Sequence, residues 1–319
     1  MRILILGAGG RYRTEASIAR AAKSLGHTAT VVDALGWRRM LGPWSPKVIR
    51  WQFDHFKPEF VLCTRRAVSA GVEVLRELLP QQPSALWYFD AADPLPPQVV
   101  TLARMVPHVF ATYGYQVEAF RKAGAAEAHF LPQGLDLHID RPDVTATPAE
   151  RCDVSFIGSG QYPRRHAILK ALARAVRLQV RGPYWEKSAS DLPIAGGPVR
   201  GRNFARMVGG ATISLGIDAL PEQKQETLGG TSNRIWRVLG AGGLFLGEYV
   251  EGCETLAKHG EHVLWYRNAE EAVALAKQYL ADKVGRRRIA AGGRAHALTY
   301  HTYGQRLASI LAGEGYRTT

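Results

Sequence analysis

The chain predicts an α/β protein of two doubly wound domains, each built on a parallel sheet. Three observations carry that expectation. Short apolar runs alternate with helical stretches along most of the 319 residues. Two of those runs, Arg2 to Leu6 and Asp153 to Ile157, end at once in glycine-rich turns. The alternation breaks once between them, where proline and threonine gather.

In the first half, Arg2 to Leu6 reads as a buried strand and Gly7, Gly9 and Gly10 as its turn. Thr14 to Leu25 reads as a helix closed by Gly26-His27, and Thr28 to Val32 as a second strand ending at Asp33. Glu59 to Cys63 and Ala85 to Phe89 are further buried strands, with a helix over Gly71 to Leu79 between them. Val109 to Thr112 and Ala128 to Leu131 continue the pattern around a helix near Gln116 to Ala123. Pro132 to Asp136 closes this half, and Arg141 to Glu150 is the linker candidate. After it come a strand at Asp153 to Ile157, a helix at Arg164 to Ala175, a strand at Leu178 to Arg181 and a helix including Phe204 to Val208. Thr212 to Gly216, Leu244 to Gly247 and His262 to Trp265 read as strands. Asn233 to Leu239, Ala269 to Leu280, Val284 to Thr299 and Tyr303 to Ala312 read as helices.

Composition narrows the class. Apolar residues make up 46% and charged residues 22%, as in a globular protein. No apolar run approaches the roughly 20 residues needed to cross a bilayer, and Met1 to Leu6 reads as a strand and not a signal peptide. Cys63, Cys152 and Cys253 are scattered and odd in number, which argues against a disulfide framework and for the cytoplasm. A formal charge of +13 favours anionic partners: a sugar nucleotide, an anionic membrane surface at which the protein is peripheral, or nucleic acid. An Arg-rich proteome with basic surfaces explains the charge equally well. No aromatic-interleaved basic tract is present, which weighs against nucleic acid.

Three glycine turns carry the candidate chemistry. Gly7-Ala8-Gly9-Gly10-Arg11 resembles a dinucleotide fingerprint, but Tyr12 stands where a third glycine belongs, so a structural or acceptor-lining turn is favoured. Gly158-Ser159-Gly160 runs from a strand into a helix that opens with Arg164 and Arg165. Free amides beside a guanidinium suit a diphosphate, and solvated surface arginines are the plain alternative. The third turn, Gly229-Gly230-Thr231-Ser232-Asn233-Arg234, is the most informative. Ser232 can cap the helix that follows, the glycines permit close approach of a ligand, and Arg234 and Arg237 share one helical face. No Ser/His/Asp, P-loop or zinc spacing is seen, so neither a metal nor an organic cofactor is expected.

Ser232, Arg234, Trp236, Gly242-Gly243, Tyr266-Arg267-Asn268, Glu270-Glu271 and His301-Thr302-Tyr303 together resemble the C-terminal domain of CgeB-like (spore maturation protein-like) glycosyltransferases. Asp153 to Arg165 also matches that family, while Leu25-Gly26-His27 and Ala111 to Asp136 match more loosely. The resemblance implies a GT-B fold, with two Rossmann-like domains facing a cleft. It implies an N-terminal acceptor-side domain over 1–140 and a donor domain over 151–300. Residues 301–319 would form a helix returning to the first domain. It further implies transfer of a sugar from a nucleotide-diphosphate sugar to a hydroxyl acceptor that the sequence does not identify. Gly158, Ser159, Arg164, Arg165, Gly230, Thr231, Ser232, Asn233, Arg234 and Arg237 would line the donor.

One departure stands out. Where such enzymes often carry a ribose-binding glutamate, this chain has Arg237, and the partner glutamate falls on Gly229. An arginine cannot accept a hydroxyl proton. Arg237 either faces the donor phosphates or pairs with Glu226 or Glu248, and either glutamate could stand in for the missing one. For the acceptor base, Glu15 and Asp90 sit where cleft residues of open α/β sheets sit, and Asp93 is weaker because Asp93-Pro94 reads as turn chemistry. For each carboxylate, capping of a helix start or loop competes with catalysis. Two other functions remain open: a non-catalytic bilobed nucleotide-sugar-binding or accessory protein, and a basic glycosyltransferase acting on modified nucleic acid.

Overall fold

The computed structural model describes residues 1–185, 191–218, 230 and 232–316. The chain divides into two compact units, each a Rossmann-like domain with a six-stranded parallel sheet. The first comprises Met1–Gln133, Gly230 and the segment from Tyr303; the second runs from Gly134 up to Thr302.

The first sheet holds β1 (Arg2–Gly7), β2 (Thr28–Asp33), β3 (Phe60–Thr64), β4 (Ser84–Tyr88), β5 (His108–Ala111) and β6 (Glu127–Phe130). They lie in the order β2-β1-β3-β4-β5-β6. Ile3, Leu4, Ile5 and Leu6 are all buried, as a strand covered on both faces must be. Because side chains alternate, the two pairs enter different layers. Ile3 and Ile5 join Ile18 of α1 (Thr14–Ser24) with Leu307 and Ile310 of α12 (Tyr303–Ala312). Leu4 and Leu6 join Ile49 and Phe53 of α3 (Ser45–Phe56) and Leu102 of α5 (Pro97–Ala103). The helix from Tyr303 is thus a full member of the first core. Arg306 fixes it by donating to the Pro132 carbonyl at 2.7 Å. Burial pushes that guanidinium down to about 10.

Residues 34 to 58 carried no assignment from sequence. They form α2 (Ala34–Leu41), a 3-10 turn at Gly42–Trp44, and α3. Asp33 caps α2 by accepting from the Gly36 amide at 2.8 Å. Helix α3 buries only Ser45, Ile49 and Phe53, while Trp51 faces outward. Apolar residues on both sides of the helix blur its period.

The second sheet holds β7 (Cys152–Ile157), β8 (Leu178–Arg181), β9 (Ile194–Gly196), β10 (Ala211–Gly216), β11 (Phe245–Glu248) and β12 (Leu264–Tyr266). Their order is β12-β11-β10-β7-β8-β9. Val154 and Phe156 pack with Leu169 and Leu172 of α7 (Arg164–Ala175) and with Ala272 and Ala276 of α10 (Ala269–Ala281). Strand order reverses between β7 and β10, which opens a crevice at their carboxyl ends. Residues 134–150 pack within this unit: Ile139, Asp140 and Ala146 are buried, and the Leu135 amide donates to the His301 carbonyl at 2.8 Å. The three cysteines are buried and unbonded to one another, with thiols pushed up by burial. Among the described residues, no helix is long and apolar enough to cross a membrane.

A run of stacked rings closes the second unit at the end of α11 (Lys283–Tyr300). His301 lies 3.5 Å from Trp236, ring centroid to ring centroid, and His262 lies 4.0 Å from His296. His296 Nε2 sits 2.8 Å from the Leu256 carbonyl and 3.1 Å from His301 Nε2. Burial holds His262 and His296 below their ordinary value of 6.5. An unfolded chain therefore takes up these protons first, so this contribution is intact above pH 6.5 and falls away as the pH drops through the lowered folded values. Urea midpoints at pH 7.5 and 5.5 should show a loss on acidification that is smaller in His262→Gln/His296→Gln than in the parent. An equal loss in both proteins would remove the stack from the acid response.

Candidate functional site

The crevice of the second sheet holds a cavity of about 360 Å³. Backbone builds much of its wall. Ile157, Gly158 and Ser159 leave β7, and Gly182, Pro183 and Tyr184 leave β8. The Gly158 amide donates to the Arg181 carbonyl at 2.9 Å, and the Gly160 amide to the Pro183 carbonyl at 2.9 Å. The buried Trp185 indole donates to the Gly158 carbonyl at 2.9 Å. Gly182 has φ +146°, and a Cβ there would collide with the Gly158 carbonyl, so only glycine lets the two turns meet. At the rim, Tyr184 takes φ 66°, a left-handed conformation that costs a non-glycine residue about 1–2 kcal/mol.

The remaining wall is cationic. Arg200, Arg234 and Arg237 line the cavity, and no carboxylate does so among the described residues. Arg234 opens α9 (Arg234–Gly240). Its guanidinium donates to the Ile157 carbonyl at 3.0 Å and the Ile217 carbonyl at 3.4 Å, and lies over the Phe156 ring. These bonds tie α9 to the ends of β7 and β10 and hold the cation at the crevice. Ser232 orders the entry: its Oγ accepts from the Arg234 amide at 3.4 Å, and its amide donates to Asp218 Oδ1 at 3.2 Å. Burial pushes the Asp218 carboxyl above its usual range, against the pull of Arg234, Arg165 and Arg164.

The sequence-based candidates separate into groups. Gly158, Ser159, Ser232, Asn233, Arg234 and Arg237 come together around the cavity. Arg164 and Arg165 do not line it. Arg164 forms a forked ion pair with the buried Glu248, with one arm at 3.0 Å, and Arg165 is buried and donates to the Ser159 carbonyl at 2.8 Å. Gly230 belongs to the first unit and lies against the Thr112 backbone. Thr231, Gly229 and Glu226 lie outside the described residues. Of the two glutamates weighed as partners for Arg237, Glu248 is committed to Arg164. Arg237 Nε instead donates to Asp140 Oδ1 at 2.9 Å while its guanidinium lies 4.0 Å from the Phe204 ring centre. Burial raises the Asp140 carboxyl and Arg237 opposes that rise.

The base candidates lie in the first unit. Glu15 is buried at the β1–α1 turn, and its Oε1 accepts from the Ala8 amide at 3.2 Å and the Thr64 hydroxyl at 2.8 Å. Asp90 follows β4, is partly exposed and pairs with Arg65. Asp33 is occupied capping α2 and packs against Gly9. Sequence reasoning missed Asp140, Asp218, Phe204 and the turn from Gly182 to Tyr184. Of these, Gly182-Pro183 alone carried a local signal, as a turn dipeptide ending a strand.

The family described as glycosyl transferase-like matches residues 164–312, slightly under half of the chain. No match to the chain was found among curated proteins. Among solved structures, Anabaena Alr3699/HepE in complex with UDP and glucose is similar at 16% identity and a TM-score of 0.69, covering 98% of this chain and 99% of that one. A glycosyltransferase from Rickettsia africae ESF-5 is similar at 13% identity and a TM-score of 0.67, covering 98% and 97%. A putative UDP-N-acetylglucosamine 2-epimerase from Listeria monocytogenes aligns at 11% identity and a TM-score of 0.60, covering 99% of both chains. At these identities the likeness establishes the GT-B fold of two Rossmann-like domains, which carries more than one reaction.

The pairing of Arg237 with Asp140 can be tested without a ligand. Arg237→Ala leaves a buried carboxylate uncompensated and should cost about 3 kcal/mol by urea unfolding at pH 7.5. Adding Asp140→Ala should restore part of that loss. Equal stability of parent and Arg237→Ala would show that the pair contributes nothing.

Proposed function

We propose that the protein moves a sugar from a nucleotide-diphosphate sugar to a hydroxyl acceptor. The observation that carries this reading is a cavity at the strand-order reversal lined by three guanidiniums and, among the described residues, by no carboxylate. Such a site favours a phosphate-bearing ligand. The glycosyl transferase-like match over 164–312 includes Arg200, Arg234 and Arg237, and a solved relative of the same fold holds UDP-glucose. The finer kinship with CgeB-like enzymes rests on Ser232, Arg234, Trp236 and the closing His301-Thr302-Tyr303.

The chemistry follows from the charges. As the bond from the sugar to its diphosphate breaks, negative charge grows on the leaving phosphate. Arg234, already fixed by two backbone carbonyls, stabilises that charge without having to reorganise. The acceptor hydroxyl must lose a proton to a base. Glu15 is buried and held by an amide and a hydroxyl inside its turn, whereas Asp90, although paired with Arg65, is partly exposed where an acceptor can reach it, so we assign the base to Asp90. Arg234→Ala should weaken UDP-sugar or GDP-sugar binding about tenfold to a hundredfold, read by calorimetry. Asp90→Asn should leave that binding intact and cut turnover by roughly a hundredfold. Unchanged binding in Arg234→Ala would discard the donor site. Donor binding with no transfer or hydrolysis by the parent would favour the non-catalytic reading.

The proposal includes a peripheral membrane location. Met40, Trp44 and Trp51 are 68%, 63% and 63% exposed along α2, the 3-10 turn and α3. Lys47 lies 4.4 Å over the Trp44 ring, and Arg38 and Arg39 are exposed beside them. Indoles among cations suit the boundary of an anionic bilayer. Trp44→Ser/Trp51→Ser should lose most sedimentation with phosphatidylglycerol vesicles, while the parent should ignore phosphatidylcholine. Absence of parent binding to the anionic vesicles would refute this location.

A further inference from the structure

A second candidate site lies in the first unit, at the start of β5 and β6. His108 pairs in register with Glu127, and Phe110 with His129. Alternation along parallel strands therefore puts His108, Glu127 and His129 on one face. His108 Nδ1 and His129 Nε2 each lie 3.2 Å from the same carboxylate oxygen, Glu127 Oε2. All three potential ligand atoms fall within 4.8 Å of one another.

Packing sets both rings. His129 stacks on Phe110 with centroids 5.4 Å apart, and its backbone leads into Phe130, whose carbonyl accepts from the Tyr316 amide at 2.7 Å. The segment after α12 lies close over the pair. A Cβ at Gly313 would come 2.9 Å from His108 Cε1, and one at Gly315 would come 3.2 Å from His129 Cβ. His108 Nδ1 is shielded from solvent and, although near Glu127, meets no hydrogen-bond geometry. Hydrogen bonding thus leaves a buried ring nitrogen unsatisfied, which is costly.

We propose that His108, Glu127 and His129 form a binding site for a divalent transition-metal ion of the zinc class. One ion would satisfy both ring nitrogens and the carboxylate together. Ligands about 2.0–2.1 Å from a tetrahedral ion lie about 3.3 Å apart, close to the two separations of 3.2 Å found here. Two imidazoles with one carboxylate suit zinc, cobalt or nickel, whereas magnesium and calcium prefer oxygen ligands. Glu127 is more than half exposed, so a water can reach a fourth position. The ion would join β5 to β6 beneath the segment following α12, far in sequence from the guanidinium-lined cavity of the second unit. Its role is therefore to brace the first unit.

The untagged full chain, stripped by chelator, should take up one equivalent of Zn²⁺, read by competition against a chromophoric chelator. Bound Co²⁺ should give the intense visible bands of a tetrahedral site. Mg²⁺ should neither bind nor compete. Glu127→Gln and His129→Gln, both conservative, should each weaken Zn²⁺ at least tenfold while far-UV circular dichroism stays unchanged. No Zn²⁺ uptake by the parent would overturn the site. Parent-like binding in the folded Glu127→Gln and His129→Gln proteins would overturn it too, because the metal would then sit on other histidines.

Discussion

The buried carboxylate of Asp218, two residues past the end of β10, sets the charge balance at the crevice of the second domain. Left alone in that position it would cost several kcal/mol. Folding must therefore bring guanidiniums to it, and Arg234, Arg165 and Arg164 supply them from the starts of α9 and α7. Three cations around one anion would overshoot, and Glu248 takes up Arg164. One positive charge remains in surplus, held where strand order reverses. The network that makes Asp218 tolerable thus also leaves the crevice ready for an anion.

Arg237 repeats the same logic on a smaller scale. Its departure from the expected glutamate looked in sequence like damage to a ribose site. In the fold, Asp140 from the segment after the first domain neutralises it, and Phe204 covers its guanidinium. Both the charge and the packing of Arg237 are therefore satisfied within the second domain.

The sequence made the buried strands legible because a strand buried on both faces is apolar along its length, whereas the short, partly exposed β9 carried no such run and was not read. Arg2–Gly7 and Phe60–Thr64 are of this kind, and both were found within a residue or two. It made the Gly158 turn legible as a glycine cluster ending a strand, but not its partner Gly182, whose backbone meets Gly158 only in the fold. It could not show what depends on distant register. Arg164 and Glu248 are 84 positions apart, and Arg237 and Asp140 are 97 apart, so the arginines were found but not their commitments. Glu15 stood where a base could stand, yet only the neighbouring strand reveals that Thr64 holds it. His108 and the Glu127-x-His129 pair show no motif, because strand pairing alone brings them together.

The helix beginning at Tyr303 fills a core whose other members lie before residue 134. Arg306 and its acceptor Pro132 are 174 positions apart. At 5–20 residues per second, the ribosome makes that interval in roughly 10–35 s. During that time the sheet of the first domain is complete in sequence, with α1 already packed on Ile3 and Ile5, but the part of that face beside α1, around Trp87, lacks its cover. The second domain, made later, has all its own elements before the first does. Order of synthesis and order of completion are therefore reversed in this chain. The first domain can complete its core only after the helix that seals it has left the exit tunnel.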